Sequence, residues 1–134
     1  MIVFDAKLLV AFYTPGHSHQ ARAVAALAAV ATEPRAMSAL TLAEFLVHPA
    51  ASGATTKAEA NVKALGIAIR DIQPEDAAPL ARLRASTGLK MPDAVVLHLA
   101  IKEGASLLTF DDRLAAAARD YGVKVVGAAD TQTG

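Results

Sequence analysis

The stretch MPDAVVLHLAIKEGASLLTFDDRLAAAARDYG, residues 91–122, decides the fold class. Pro92 stands where the first turn of a helix tolerates a missing amide, and apolar residues continue from it to Lys102. Gly104 follows, in the place of a left-handed helix cap. Residues 106–110 are short, apolar and β-prone, and the acids Asp111 and Asp112 end them. A second helix is expected over 113–121, closed by Gly122. Helix, buried strand and helix joined by short loops form the unit of an α/β sandwich.

The alternation extends to the whole chain. Strands are expected at 2–4, 67–72 and 123–126, with a weaker one at 36–39. The remaining helices are expected at 7–13, 17–31, 42–51, 56–65 and 75–87. Pro15-Gly16 and Glu33-Pro34-Arg35 separate segments, and Gly66 and Gly88 close two of them. The expectation is therefore a mostly parallel sheet of four to five strands flanked by about seven helices. It occupies one domain over residues 1–130, with a frayed tail at 131–134. No linker or internal repeat divides the chain. The alanine-rich run 21–31 reads as a close-packed helix, since alanine has the highest helix propensity.

Composition narrows the function. The 134 residues include 13 basic and 13 acidic side chains, four His, no Cys and no Trp. Zero net charge and 54% hydrophobic content exclude disorder and a polybasic nucleic-acid coat. Thiol catalysis and thiolate metal sites are excluded by the lack of Cys, which suits a reducing cytoplasm. Much of the hydrophobic content is alanine, 32 residues in all. The longest weakly polar run, 23–32, is half of the roughly 20 residues a membrane span needs. No basic segment precedes the first apolar one, so no signal peptide is expected.

Ligands of open parallel sheets bind beyond the carboxyl ends of the strands. Asp5 and Asp111 directly follow expected strands, Glu44 comes a few residues after another, and Asp93 opens a helix. Each has a bland reading: Thr41-Leu-Ala-Glu44 is a capping-box pattern, and Asp5, Asp93, Asp111 and Asp112 suit helix starts. Taken together they suggest more. Two carboxylates about 5 Å apart repel by roughly 3 kcal/mol at an effective dielectric of about 20. A cluster of acids therefore calls for raised pKa values or a bound cation. Oxygen ligands without Cys favour Mg²⁺ or Mn²⁺, which can activate water and neutralise a phosphodiester.

Four segments carry a family likeness: Ile2-Val-Phe-Asp5, Ser38-Ala-Leu-Thr-Leu-Ala-Glu44, Met91-Pro-Asp93-Ala and Leu107-Leu-Thr-Phe-Asp111. In this order and spacing the chain resembles the PIN-domain ribonucleases, specifically VapC-type toxins of bacterial toxin–antitoxin pairs. The resemblance implies a PIN-like three-layer sandwich and a metal-dependent endoribonuclease. Asp5 and Asp93 would be the direct Mg²⁺ ligands, with Mn²⁺ as an alternative. Glu44 and Asp111 would complete the catalytic set, and Thr109 would support it by hydrogen bonding. A cognate antitoxin protein, an RNA substrate and a homodimer are implied as partners, with no membrane association.

One residue departs from the family pattern. Ser, Thr or Asn is usual two residues after the first Asp, and Lys7 stands there instead. It is either a solvated surface lysine or a cation among the carboxylates, contacting phosphate or competing with metal. Lys90 and Arg113 lie near the same edge and could touch phosphate. The histidines form no convincing site: His17 and His19 belong to a turn, His48 is a weak candidate beside Glu44, and His98 reads as partly buried. Other functions remain open. A catalytically weakened interaction module would keep the fold. An Asp-nucleophile phosphotransfer domain would need a second acid close to Asp5, where Ala6 and Lys7 stand.

Overall fold

A computed structural model of the chain describes residues 1–127; the tail expected at 131–134 lies outside the described residues. The chain runs through β1 (Ile2–Phe4), α1 (Ala6–Tyr13), α2 (Gln20–Ala29), β2 (Arg35–Ser38), α3 (Ala39–Ala51), α4 (Thr55–Ala64) and β3 (Ile67–Arg70). A single 3-10 turn, Pro74–Asp76, leads into α5 (Ala77–Thr87), α6 (Met91–Glu103), β4 (Ser106–Leu108), α7 (Asp112–Asp120) and β5 (Val125–Val126). All strand pairs are parallel, in the order β3-β2-β1-β4-β5. The register sets Ile2 opposite both Arg35 and Ser106, and Phe4 opposite Leu108.

A parallel sheet covered on both faces needs strands that are apolar on both sides. β1 meets this need, because all three of its residues are buried. Ile2, Phe4 and Leu108 face one layer, with Leu8, Leu9 and Leu27 from α1 and α2 and Val62 from α4. Val3 and Leu107 face the other, with Leu83, Val96 and Leu114 from α5, α6 and α7. The result is the three-layer sandwich. Alanines occupy much of the buried contact surface, including Ala94, Ala100, Ala115 and Ala118, and let short helices lie close to the sheet.

Several boundaries differ from the sequence reading, each for a local reason. Ser38, not Thr41, caps α3: its Oγ accepts from Leu40 N at 2.9 Å. The helix therefore starts at Ala39, Thr41 is buried inside it, and Glu44 is in its second turn, free of any capping role. Residues 17–19 form a turn ahead of α2, in which His19 N donates to His17 Nδ1 at 3.0 Å. α2 is helical as expected, yet only Ala23 and Leu27 of it are buried, so the close packing expected of 21–31 is confined to one stripe. β4 stops at Leu108 because Thr109 turns inward and its Oγ1 accepts from Asp111 N at 3.0 Å. Among the described residues, no helix is long and apolar enough to cross a membrane.

Candidate active site

The strand order reverses direction between β1 and β4, and such a switch point opens a crevice at the carboxyl ends of the two strands. Asp5 and Asp111 leave the sheet on either side of it. Asp5 is the N-cap of α1; its Oδ1 accepts from Lys7 N at 3.4 Å. Its Oδ2 accepts from Thr109 Oγ1 at 2.9 Å. Asp111 is the N-cap of α7, with Oδ1 accepting from Leu114 N at 3.1 Å. Thr109 is fully buried and bonded to both acids' segments, so it ties the two strand ends together. Glu44 reaches the same region from α3, which packs against both α1 and α6, and Asp93 from the first turn of α6.

Asp5 and Asp111 thus cap helices and border the crevice at once, because a helix start at a strand end aims its amides there. The four acids act on one another electrically. Burial pushes the Asp5 carboxyl above its ordinary value, against the bonds from Thr109 and Lys7 N, and Asp93 adds to the rise. Burial likewise raises Glu44, helped by Asp5 and Asp93. Asp93 is raised by burial and by Asp111, while Lys7, Arg113 and Lys90 pull the other way. Asp111 differs. Burial favours its neutral form, but the hydrogen bond from Lys7 and the cap amides outweigh it and hold the carboxyl below its usual value.

Lys7 itself enters the crevice: its Nζ lies 2.8 Å from Asp111 Oδ2, and that bond raises the lysine's own pKa. Among the described residues, no three His, Asp or Glu side chains are arranged to hold a metal ion jointly. The donor set nonetheless fits a hard divalent cation. It is all oxygen, and three carboxyls are destabilised as anions by burial and by each other. Mg²⁺ commonly takes only one or two carboxylates and keeps several waters.

Beside the acids opens a cleft of about 360 Å³ lined by Lys7, Val10, His17, His19, Phe110 and Asp111. The His19 and Phe110 rings are 5.9 Å apart, and the Arg22 guanidinium lies 4.3 Å from the Phe110 centroid. His17 and His19, expected in the turn before the second helix, therefore border the cleft beside Lys7 and Asp111. His48 instead lines an apolar groove of about 260 Å³ with Val10, Tyr13 and Phe45, between α1, α3 and α4.

One polar cluster was not foreseen. Asp76 Oδ1 lies 2.8 Å from His98 Nε2 and accepts from Lys102 Nζ at 3.0 Å, while Oδ2 accepts from Gln73 N at 2.7 Å. His98 is partly buried as expected. The available signal was the i, i+4 spacing of His98 and Lys102, which puts two donors on one helical face facing an acid elsewhere.

A three-layer α/β sandwich with acids converging on its switch point defines the class of protein. The chain belongs to the PIN domain family, whose sequence profile matches residues 2–131. No curated protein matches the chain. Among solved structures, it is similar to a toxin–antitoxin complex from Klebsiella pneumoniae, at 25% identity and TM-score 0.70, covering 83% of this chain and 87% of that one. It is also similar in fold to VapC20 of Mycobacterium tuberculosis, a sarcin–ricin loop cleaving toxin, at 18% identity and TM-score 0.73, covering 87% and 95%. VapBC2 from Rickettsia felis, bound to a DNA fragment from its promoter, shares the fold at 18% identity and TM-score 0.70, covering 93% and 97%.

Proposed function

We propose that the protein is a metal-dependent endoribonuclease of the VapC type, the toxin of a toxin–antitoxin pair, hydrolysing RNA phosphodiester bonds in the cytoplasm. The observation that carries this reading is the placement of Asp5 and Asp111 at the carboxyl ends of β1 and β4, tied together by Thr109, in a chain of the PIN domain family. The domain is assigned to residues 1–130. Asp5 and Asp93 would hold Mg²⁺ or Mn²⁺, which when bound supplies positive charge to the phosphodiester and a more acidic water. Thr109 fixes the Asp5 carboxylate in orientation through its 2.9 Å bond. Glu44, whose carboxyl burial has raised, is suited to accept the proton of an attacking water. Lys90 and Arg113, which act on Asp93, would orient the phosphate.

Local charge thus replaces a basic coat, and zero net charge is no obstacle to binding RNA. The apolar groove between α1, α3 and α4, with Val10 and Val47 exposed, suits the apolar segment of an antitoxin. The Klebsiella and Rickettsia complexes each hold such a pair, and a homodimer of toxins is part of this reading. The Lys7–Asp111 ion pair favours a second reading, a catalytically weakened interaction module.

Cleavage of total RNA by the purified protein, freed of partner, separates the two. Cleavage should need Mg²⁺ or Mn²⁺, stop with chelator, and fall about 10²–10³-fold in Asp5→Ala or Asp93→Ala, the scale of losing one group that stabilises transition-state charge. No cleavage with any divalent ion, or full cleavage by both variants, overturns the catalytic reading.

A further inference from the structure

We infer that the cleft beside Asp111 is a nucleobase subsite, in which an unpaired base of the RNA strand stacks on His19. This deepens the nuclease reading and rests on it. The cleft, about 360 Å³, has the size that small ligands occupy and opens directly beside the acids. Its wall is a run of rings: the His17 and His19 centroids are 5.8 Å apart, and those of His19 and Phe110 are 5.9 Å apart. The run is held in place from behind. The His19 amide donates to His17 Nδ1 at 3.0 Å, which orients the His17 ring. Phe110 packs against the core, and the Arg22 guanidinium sits 4.3 Å from its centroid. Arg22 also donates to the Gly127 carbonyl, so the cation on this ring has its own anchor.

His19 is the exposed ring of the run. Its side chain makes no cap bond to α2, so the helix start does not call for a ring there. Charge then selects the ligand. Lys7 and Arg22 bring two positive charges to the cleft and its wall, and Asp111 one negative, in a chain whose net charge is zero. A flat, aromatic and negatively charged ligand meets rings and cations together, and a nucleotide of a single strand is such a ligand. Duplex RNA keeps its bases stacked inside, so the subsite selects single-stranded segments. Asp111 belongs to both regions: it lines the cleft and caps α7 at the crevice. A base seated on His19 therefore leaves the adjoining phosphodiester on the side of the acids.

Binding in the presence of chelator tests this without cleavage. The full chain is titrated into a fluorescein-labelled oligoadenylate RNA hexamer and into an abasic ribose-phosphate hexamer of the same charge, with anisotropy as the readout. Wild type should bind the base-bearing strand about 5–150-fold more tightly, the contribution of one base stacked on an aromatic ring. His19→Ala should lose that preference with its affinity for the abasic strand unchanged, and His19→Phe should keep it. Far-UV circular dichroism checks that each variant is folded. Equal affinity of wild type for the two strands, no binding of either, or a preference that survives in His19→Ala each overturn the subsite. A base preference in a protein that cleaves no RNA with any divalent ion would leave the subsite standing and overturn the nuclease reading alone. Cleavage without a base preference would do the reverse.

Discussion

Thr109 is the residue on which the crevice turns. It donates to Asp5 and accepts from the Asp111 amide, and its own side chain is fully buried. Thr109→Val keeps the shape and strands both partners, which should lower stability by about 1–3 kcal/mol in urea denaturation. Mn²⁺ affinity should fall about 10–100-fold, as expected for a group that orients a ligand. Equal affinity in the variant would show that Asp5 needs no such support. At this scale the places of Asp5 and Asp111 at strand ends were legible, because a carboxylate directly after a buried strand has few places to go. Lys7 was legible only as an anomaly. Whether a long, flexible side chain turns to solvent or to a carboxylate depends on where a residue 104 positions away stands.

Elements were legible where local chemistry marks them. Gly88 and Gly104 adopt left-handed conformations at the ends of α5 and α6, as their positions suggested. The start of α3 was misjudged because two capping patterns overlap, Ser38 and Thr41, and burial of Thr41 in the tertiary structure selects the first. The Asp76 cluster binds the turn before α5 to the last turns of α6. Hydrogen bonds from His98, the Gln73 amide and Lys102 hold the Asp76 carboxyl well below its ordinary value of 3.8. A depressed carboxyl contributes stability above its unfolded pKa and loses it as pH falls towards the folded one. Asp76→Asn should therefore lower Tm at pH 7, with the gap to wild type narrowing as pH drops below about 3.8. A gap that stays constant with pH would mean that the charge of Asp76 contributes nothing.

For the whole molecule, the sheet order is what gathers acids from β1, α3, α6 and the end of β4. Burying mutually repelling carboxylates costs folding energy, which a bound cation would offset. Mn²⁺ at ten times its Kd should stabilise the chain by about 1.4 kcal/mol. For a domain of this size that is a rise in Tm of roughly 3–6 °C. No rise in Tm, or the same rise in Asp5→Ala, would deny a specific ion at this site. Apolar periodicity and the Gly and Pro punctuation by themselves determined the layered α/β class, and the order of acids suggested the family. These are local signals, since each depends on neighbours a few residues apart. The tertiary structure alone decided that β1 and β4 lie side by side, that Lys7 closes on Asp111, and that Asp76 finds His98. Such pairings join residues distant in sequence, and their energies depend on burial and charge in the assembled fold, which no single segment carries.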